Sequence, residues 1–224
     1  MKQNNKALSV SIMCADLLNL EQQIRLFEQL DVDMIHVDVM DAHFVPNLTF
    51  CPDLINAMAK ITKIPMDIHL MMTDPDTILP TINTREGDFI TIHAELTPVK
   101  IKKLIEQIRE KGAKVGLALN PYTSVMAVKP FIHDIDLVLL MLVHPGFAGS
   151  SMVEGIMTKV EELHTLIESY GKPILLSVDG SVNLERAGLM AKMGANVFVG
   201  GTASVFKKTI PLSETIPAFY SAIL

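Results

Sequence analysis

Along the chain, short runs of aliphatic residues alternate with longer stretches whose apolar positions recur every three or four residues. The short runs predict strands at Leu8–Met13, Met34–Met40, Met66–Met72, Phe89–Ala94, Lys114–Leu119, Leu137–Leu142, Ile174–Val178 and Asn196–Gly200. Between them, Leu20, Ile24, Phe27 and Leu30 keep helical spacing. So do Ile101, Leu104, Ile105 and Ile108, and likewise Ile156, Val160, Leu163 and Ile167. Asp53–Ile61, Asp76–Thr84, Ser124–Phe131, Leu184–Met193 and Leu212–Ala222 complete a set of eight helices. Strands separated by helices pair in parallel through right-handed crossovers. Eight such units in 224 residues predict an α/β fold, one (β/α)8 TIM barrel occupying residues 1–224 as a single domain. An open doubly wound sheet is the rival. No GxGxxG follows the first strand, which weakens its dinucleotide-binding version. No Gly/Ser-rich linker divides the chain.

Composition refines this picture. Apolar residues make up 49% of the chain, aromatics only 5%, and Trp is absent, so the core must be aliphatic and rich in methionine. The net charge is −6, and the adjacent basic pairs are Lys102-Lys103 and Lys207-Lys208. Nucleic-acid binding needs clustered cations, so that class is disfavoured, while a small anionic ligand stays possible. Cys14 and Cys51 have no CxxC spacing, which argues against a disulfide scaffold or a cysteine-only zinc site. They read as ordinary buried thiols of a reducing compartment, the cytoplasm. The polar Met1–Lys6 and the serine-containing run after it make a poor signal peptide. Leu137–Val143, the longest strongly apolar run, is too short to span a bilayer, so no membrane partner is expected.

Barrel active sites sit at the C-terminal ends of the strands, which filters the candidate chemistry. In the second strand His36, Asp38 and Met40 share one face, and Ile35, Val37 and Val39 the other. In the third, His69 and Met71 share a face. The seventh strand ends in Val178-Asp179-Gly180. A buried polar face is costly unless its groups are paired or bind metal. Each residue alone has an ordinary reading, a hydrogen-bonded histidine or a capping aspartate. Together, His36, Asp38, His69 and Asp179 suit one divalent cation, Zn2+, Fe2+, Mn2+ or Co2+. His93 and Glu95 are candidates for orienting a ligand.

Glycine-rich turns let backbone N–H groups approach an anion. Gly146-Phe147-Ala148-Gly149 follows the sixth strand, Gly180-Ser181 the seventh and Gly201-Thr202 the eighth, the last before a short helix expected near Ala203. These loops make a candidate phosphate site, with ordinary turns as the alternative. Ser11 reads equally as a contact for a substrate hydroxyl or as a satisfied core serine. Met40, Met71 and Met141 either line the site or fill core gaps. Asn47 could cap the second crossover or touch substrate.

These segments resemble the ribulose-phosphate 3-epimerase family. The resemblance is carried by His36-Val37-Asp38-Val39-Met40-Asp41-Ala42-His43-Phe44-Val45-Pro46-Asn47, by Asp67-Ile68-His69-Leu70-Met71, by Pro145-Gly146-Phe147-Ala148-Gly149 and by Val178-Asp179-Gly180. It implies a ribulose-phosphate-binding barrel, a homo-oligomeric isomerase of the pentose phosphate pathway with one divalent ion per subunit. It also implies that Asp38 and Asp179 are the acid/base pair, that Ser11 and His69 contact substrate, and that the glycine loops grip the phosphate. Ala42, Ala148 and Ser181 stand where the family commonly has glycine, Val10 where it has proline, and His144 and Ser150 also depart from its pattern. Gly-Phe-Ala-Gly and Asp-Gly-Ser resemble the allulose-6-phosphate 3-epimerase branch. The expected reaction is D-ribulose 5-phosphate to D-xylulose 5-phosphate, with D-allulose 6-phosphate to D-fructose 6-phosphate as alternative. A sugar-phosphate lyase or a non-catalytic binding barrel are the other classes. A Schiff-base aldolase needs a strand-end lysine, and Lys114 and Lys172 sit at strand beginnings. The second strand also lacks the lysine of an orotidylate-type decarboxylase.

Overall fold

The computed structural model describes residues 5–224; residues 1–4 of the polar N-terminal stretch lie outside the described residues. Eight parallel strands close on themselves in chain order: β1 (Ala7–Ser11), β2 (Met34–Met40), β3 (Met66–Met71), β4 (Phe89–His93), β5 (Lys114–Leu119), β6 (Leu137–Met141), β7 (Leu175–Asp179) and β8 (Val197–Gly200). The α-helices are α1 (Leu20–Gln29), α2 (Pro52–Ile61), α3 (Pro98–Glu110), α4 (Met157–Ser169), α5 (Leu184–Lys192) and α6 (Leu212–Ile223). The (β/α)8 class expected from the pattern is the class observed. None of these helices is long and apolar enough to cross a membrane.

Two of the eight expected helices are corrected. The crossover from β3 to β4 holds short 3-10 turns at Pro75–Thr77 and Leu79–Thr81 in place of a helix over Asp76–Thr84. The crossover from β5 to β6 is a 3-10 segment, Val125–Phe131. Pro80 and Pro130 lie inside these stretches, and proline can neither donate the i→i−4 bond nor accommodate the preceding carbonyl. The periodicity was right about which side is apolar, since Leu79, Val128 and Phe131 are buried. The short helix expected near Ala203 is also absent. The Gly201 carbonyl accepts from the N–H groups of Ser204, Val205 and Phe206, which makes a single turn.

Strand alternation builds two cores. Outward residues such as Ile35, Val37 and Val39 pack under the helices with Ile24, Phe27 and Ile55. Inward residues at the opposite end from the site, including Met34, Phe89, Leu137 and Val197, plug the barrel interior. Above the plug the interior turns polar, with Ser9, His36, Asp67, Thr91 and Ser177 almost wholly excluded from solvent. Met40, Val45 and Met71 then form an apolar collar at the mouth, with Met13 and Phe44 against them.

The interior is tight enough to select glycine on β5. A Cβ at Gly116 would lie 2.1 Å from Thr91 Oγ1 and 2.9 Å from Thr91 Cβ. Gly116→Ala is expected to destabilise the barrel by about 1–3 kcal/mol through overpacking. Urea unfolding checks this, and an unchanged midpoint would mean that β4 and β5 separate freely.

Candidate active site

Three strand ends supply the four proposed ligands. β2 contributes His36 and Asp38, β3 contributes His69, and β7 ends at Asp179. One donor atom from each falls within 4.8 Å of all the others. His36 Nε2 lies 3.0 Å from Asp38 Oδ1 and 3.9 Å from Asp179 Oδ2. His69 Nδ1 lies 3.1 Å from the same Asp38 oxygen. The register explains the convergence: Asp38 stands beside His69, and His36 beside Asp67, across the β2–β3 ladder.

The far side of each imidazole is tied down. His36 Nδ1 is 2.7 Å from Asp67 Oδ2, which also accepts from Ser9 Oγ at 3.0 Å. His36 Nε2 therefore faces the cluster. His69 is oriented the other way round. Its Nε2 meets His93 Nε2 at 2.8 Å, and His93 Nδ1 meets Glu95 Oε2 at 2.8 Å. With one proton per gap, Glu95 accepts from His93 Nδ1–H, and His93 Nε2 accepts from His69 Nε2–H. His69 Nδ1 is left facing Asp38 Oδ1. Glu95 Oε1 is fixed by the Asn120 N–H at 2.9 Å and by the Thr123 hydroxyl. His93 and Glu95, the residues expected to orient a ligand, thus stand in a hydrogen-bonded row behind His69. Asp67 was missed. Its signal was the inward position it shares with His69 on β3, directly beside His36.

Charge in this cluster is unevenly distributed. Burial opposes ionisation of Asp38, but His36 and His69 outweigh it and hold the carboxyl far below its ordinary range. For Asp179, burial and the Asp38 charge outweigh the pull of His36 and His69 and raise it to about 6. Burial also opposes charge on His36, yet Asp38 and Asp67 together raise it well above an ordinary histidine. Burial lowers His93 to about 4 despite Glu95, consistent with its neutral role in the chain of hydrogen bonds. The donors around Glu95 outweigh its burial and hold it at about 2.

A cavity of about 310 Å³ opens above the cluster, a size suited to a small molecule. Ser11, Asp38, Met40, Met71, Met141 and Asp179 line it, as do Gly146, Phe147, Ala148, Gly149, Gly180, Ser181, Gly201 and Thr202. Ser11 lines the cavity, and its hydroxyl donates to Asp38 Oδ2 at 3.4 Å. His69 is fully buried beneath the floor and is not among the lining residues. Asn47 ties the loop after β2 to the loop after β6, its amide donating to the Gly146 carbonyl at 2.6 Å. Asp41 braces the same loop. It accepts from the N–H groups of His43, Phe44 and Thr73, each at 2.8 Å. These donors outweigh burial and hold its carboxyl at about 2.

The cysteine reading is corrected. Cys14 is half-buried on the cavity wall, and Cys51 is exposed immediately before α2. Neither position was legible from apolar spacing, because Cys14 lies in the short 3-10 turn after β1 and Cys51 directly precedes the first residue of α2. Gly180 must be glycine: its φ is +105°, and a Cβ there would lie 2.6 Å from Val143 Cγ2. Ala42 and Ser181 hold left-handed backbones, φ +59° and +53°, despite carrying side chains.

Two imidazoles and two carboxylates converging on one buried point fit a divalent cation, and like-charged carboxylates otherwise repel there. Residues 7–206 match the Ribulose-phosphate 3 epimerase family. A ribulose-phosphate 3-epimerase of Bacillus subtilis (strain 168) is 40% identical over 194 residues, 86% of this chain and 89% of that protein. The chloroplastic ribulose-5-phosphate-3-epimerase of Arabidopsis thaliana is 36% identical over 197 residues, 88% of this chain and 70% of that protein. The crystal structure of KGPDC from Streptococcus mutans superposes with a TM-score of 0.71 at 14% identity, covering 97% of this chain and 97% of that one. At that identity the likeness concerns the fold.

Proposed function

The chain belongs to the ribulose-phosphate 3-epimerase family, and we propose that it is a metal-dependent isomerase inverting C3 of a ketose phosphate, D-ribulose 5-phosphate to D-xylulose 5-phosphate. The observation that carries the proposal is the pair Asp38 and Asp179, which line one cavity and converge with His36 and His69 within 4.8 Å. Two carboxylates facing one cavity can serve as base and acid. His36, Asp38, His69 and Asp179 would hold one divalent cation, which supplies Lewis-acid polarisation of the substrate carbonyl.

The chain's own residues do the rest. Asp38 takes the C3 proton from one face of the sugar, and Asp179 delivers a proton to the opposite face. One carboxylate could serve only one face, and in the reverse reaction the two exchange roles. Ser11, beside Asp38, is placed to bond a substrate hydroxyl. Met40, Met71 and Met141 present polarisable sulfur around the reacting carbons and keep water out. Gly146–Gly149, Gly180-Ser181 and Gly201-Thr202 receive the phosphate.

A paired assay tests this reading. D-ribulose 5-phosphate and D-allulose 6-phosphate are offered side by side to enzyme of defined metal content. Higher kcat/KM for the pentulose supports the proposal. Preference for the hexulose moves the chain to the other branch, and turnover of neither refutes epimerase activity on both.

Metal uptake supplies a second check. At neutral pH the metal-free protein keeps a proton on His36, whose pKa is raised well above the ordinary value, and begins to take one on Asp179 as pH falls through about 6. A cation must displace both. Affinity for Mn2+ or Zn2+ is therefore expected to rise with pH through about 6 and to keep rising beyond it as His36 deprotonates. Chelator competition between acidic and alkaline buffers measures this. A flat profile would separate the cluster from the metal.

A further inference from the structure

On the phosphoketose reading the cavity receives an anion, yet among the described residues Asp38 and Asp179 are its only charged lining residues, and both are acidic. No lysine or arginine reaches its wall among the described residues. A phosphate monoester brings close to two negative charges at neutral pH. Backbone amides offer partial charges only, so a full positive charge nearby would matter. One stands a layer behind. Arg186 Nη1 donates to the Ser181 carbonyl at 2.9 Å and to Ser181 Oγ at 2.7 Å. Ser181 itself is part of the cavity wall.

We infer that Arg186 is the cationic positioning residue of the phosphate subsite, acting through the Ser181 hydroxyl that it holds at the cavity wall. The inference rests on the phosphoketose reading above. Three further observations support it. A hydroxyl has one proton to give and lone pairs to accept with. When Arg186 fills an acceptor position on Ser181, the proton remains for the ligand, and the guanidinium charge strengthens that donation. Second, Ser181 keeps φ at +53°, a conformation that costs a side chain free energy and is normally left to glycine. The hydroxyl gains a fixed position in exchange. Third, Arg186 sits in the first turn of α5, with its own N–H capped by Asn183 Oδ1 at 2.8 Å. A cation there opposes the helix dipole. An anion beyond the helix start gives that placement a purpose.

The test compares wild type with R186Q, R186K, S181G and R186Q/S181G in metal-loaded enzyme. R186Q is expected to raise KM for D-ribulose 5-phosphate about tenfold, the scale of one hydrogen bond to a charged group, with kcat little changed. Inorganic phosphate should weaken to the same degree as a competitive inhibitor. kcat/KM for unphosphorylated D-ribulose should not move, and R186K should recover part of the loss. S181G should match R186Q, and the double variant should be no worse than either. Unchanged KM and unchanged phosphate inhibition in R186Q would overturn the inference. An equal loss on D-ribulose would overturn it too, by assigning Arg186 a merely structural role. If wild type turns over neither phosphoketose, calorimetry with inorganic phosphate decides separately: weaker binding to R186Q keeps the inference while the substrate reading falls, and equal binding removes both.

Discussion

Asp179→Asn is expected to lower kcat by about 10²–10⁴-fold, the scale of one lost general acid or base, while making the metal-free protein more stable at alkaline pH. The two effects have one cause. Asp179 is raised to about 6 by burial and by the charge on Asp38, above the ordinary carboxyl value of about 3.9. Its favourable contribution is complete below that ordinary value and is lost as pH rises through about 6. At pH 8 the metal-free barrel carries the whole penalty, and asparagine removes it. Asp38→Asn should abolish turnover to a similar extent with the opposite effect on stability, because His36, His69 and Ser11 all lean on that carboxylate. Thermal unfolding in chelator at pH 8 reads the stability split. Epimerisation by the metal-loaded variants reads the chemistry, and C3 hydrogen exchange in deuterated water shows which face has lost its base. Near-wild-type kcat in a folded, metal-loaded D179N would remove Asp179 from the mechanism.

The second large effect is expected at a residue that never meets the sugar. Asp67 holds His36 Nδ1 at 2.7 Å and is itself held by Ser9. Replacing it with Ala leaves a buried imidazole with one carboxylate fewer, a change that typically costs about 3–5 kcal/mol. It also frees the ring to turn or change tautomer, and loss of such an outer partner typically weakens metal binding about 10–100-fold. Asp67→Asn keeps the volume and a hydrogen bond, so it separates the charge from the packing. Urea unfolding of metal-free protein and chelator competition measure the two quantities. Metal affinity within about twofold of wild type in D67A, well short of that range, would mean that strand geometry alone orients His36.

Much of this was readable from residue order, for specific reasons. Strand alternation in β2 put His36, Asp38 and Met40 on one face because a period of two leaves no other choice, and the barrel brings strand ends together whatever their separation in sequence. The glycine loops stood out because glycine is the residue that permits close approach to the backbone, and residues of all three line the cavity. What stayed hidden depended on contacts between distant segments. Asp67 is an inward acid like any other until the β2–β3 register sets it beside His36. Arg186 reads as an ordinary surface cation of a helix until its side chain is seen folded back on Ser181. The crossovers containing Pro80 and Pro130 misled the helical spacing, since 3-10 turns also return apolar residues to one side. Cys51 precedes α2 at the exposed start of a crossover, where residue type says little about exposure.

The hydrogen-bond chain from His69 through His93 to Glu95 ends on the loop after β5, at Asn120 and Thr123. Which nitrogen His69 presents to the cluster is thus decided by a carboxylate two imidazoles away, and that carboxylate is set by a loop outside the cavity lining. Tolerance to substitution in this barrel will therefore not fall off smoothly with distance from the sugar. A map of permitted replacements should show an island of intolerance around Glu95 and Thr123, on the far side of residues that are freer to vary.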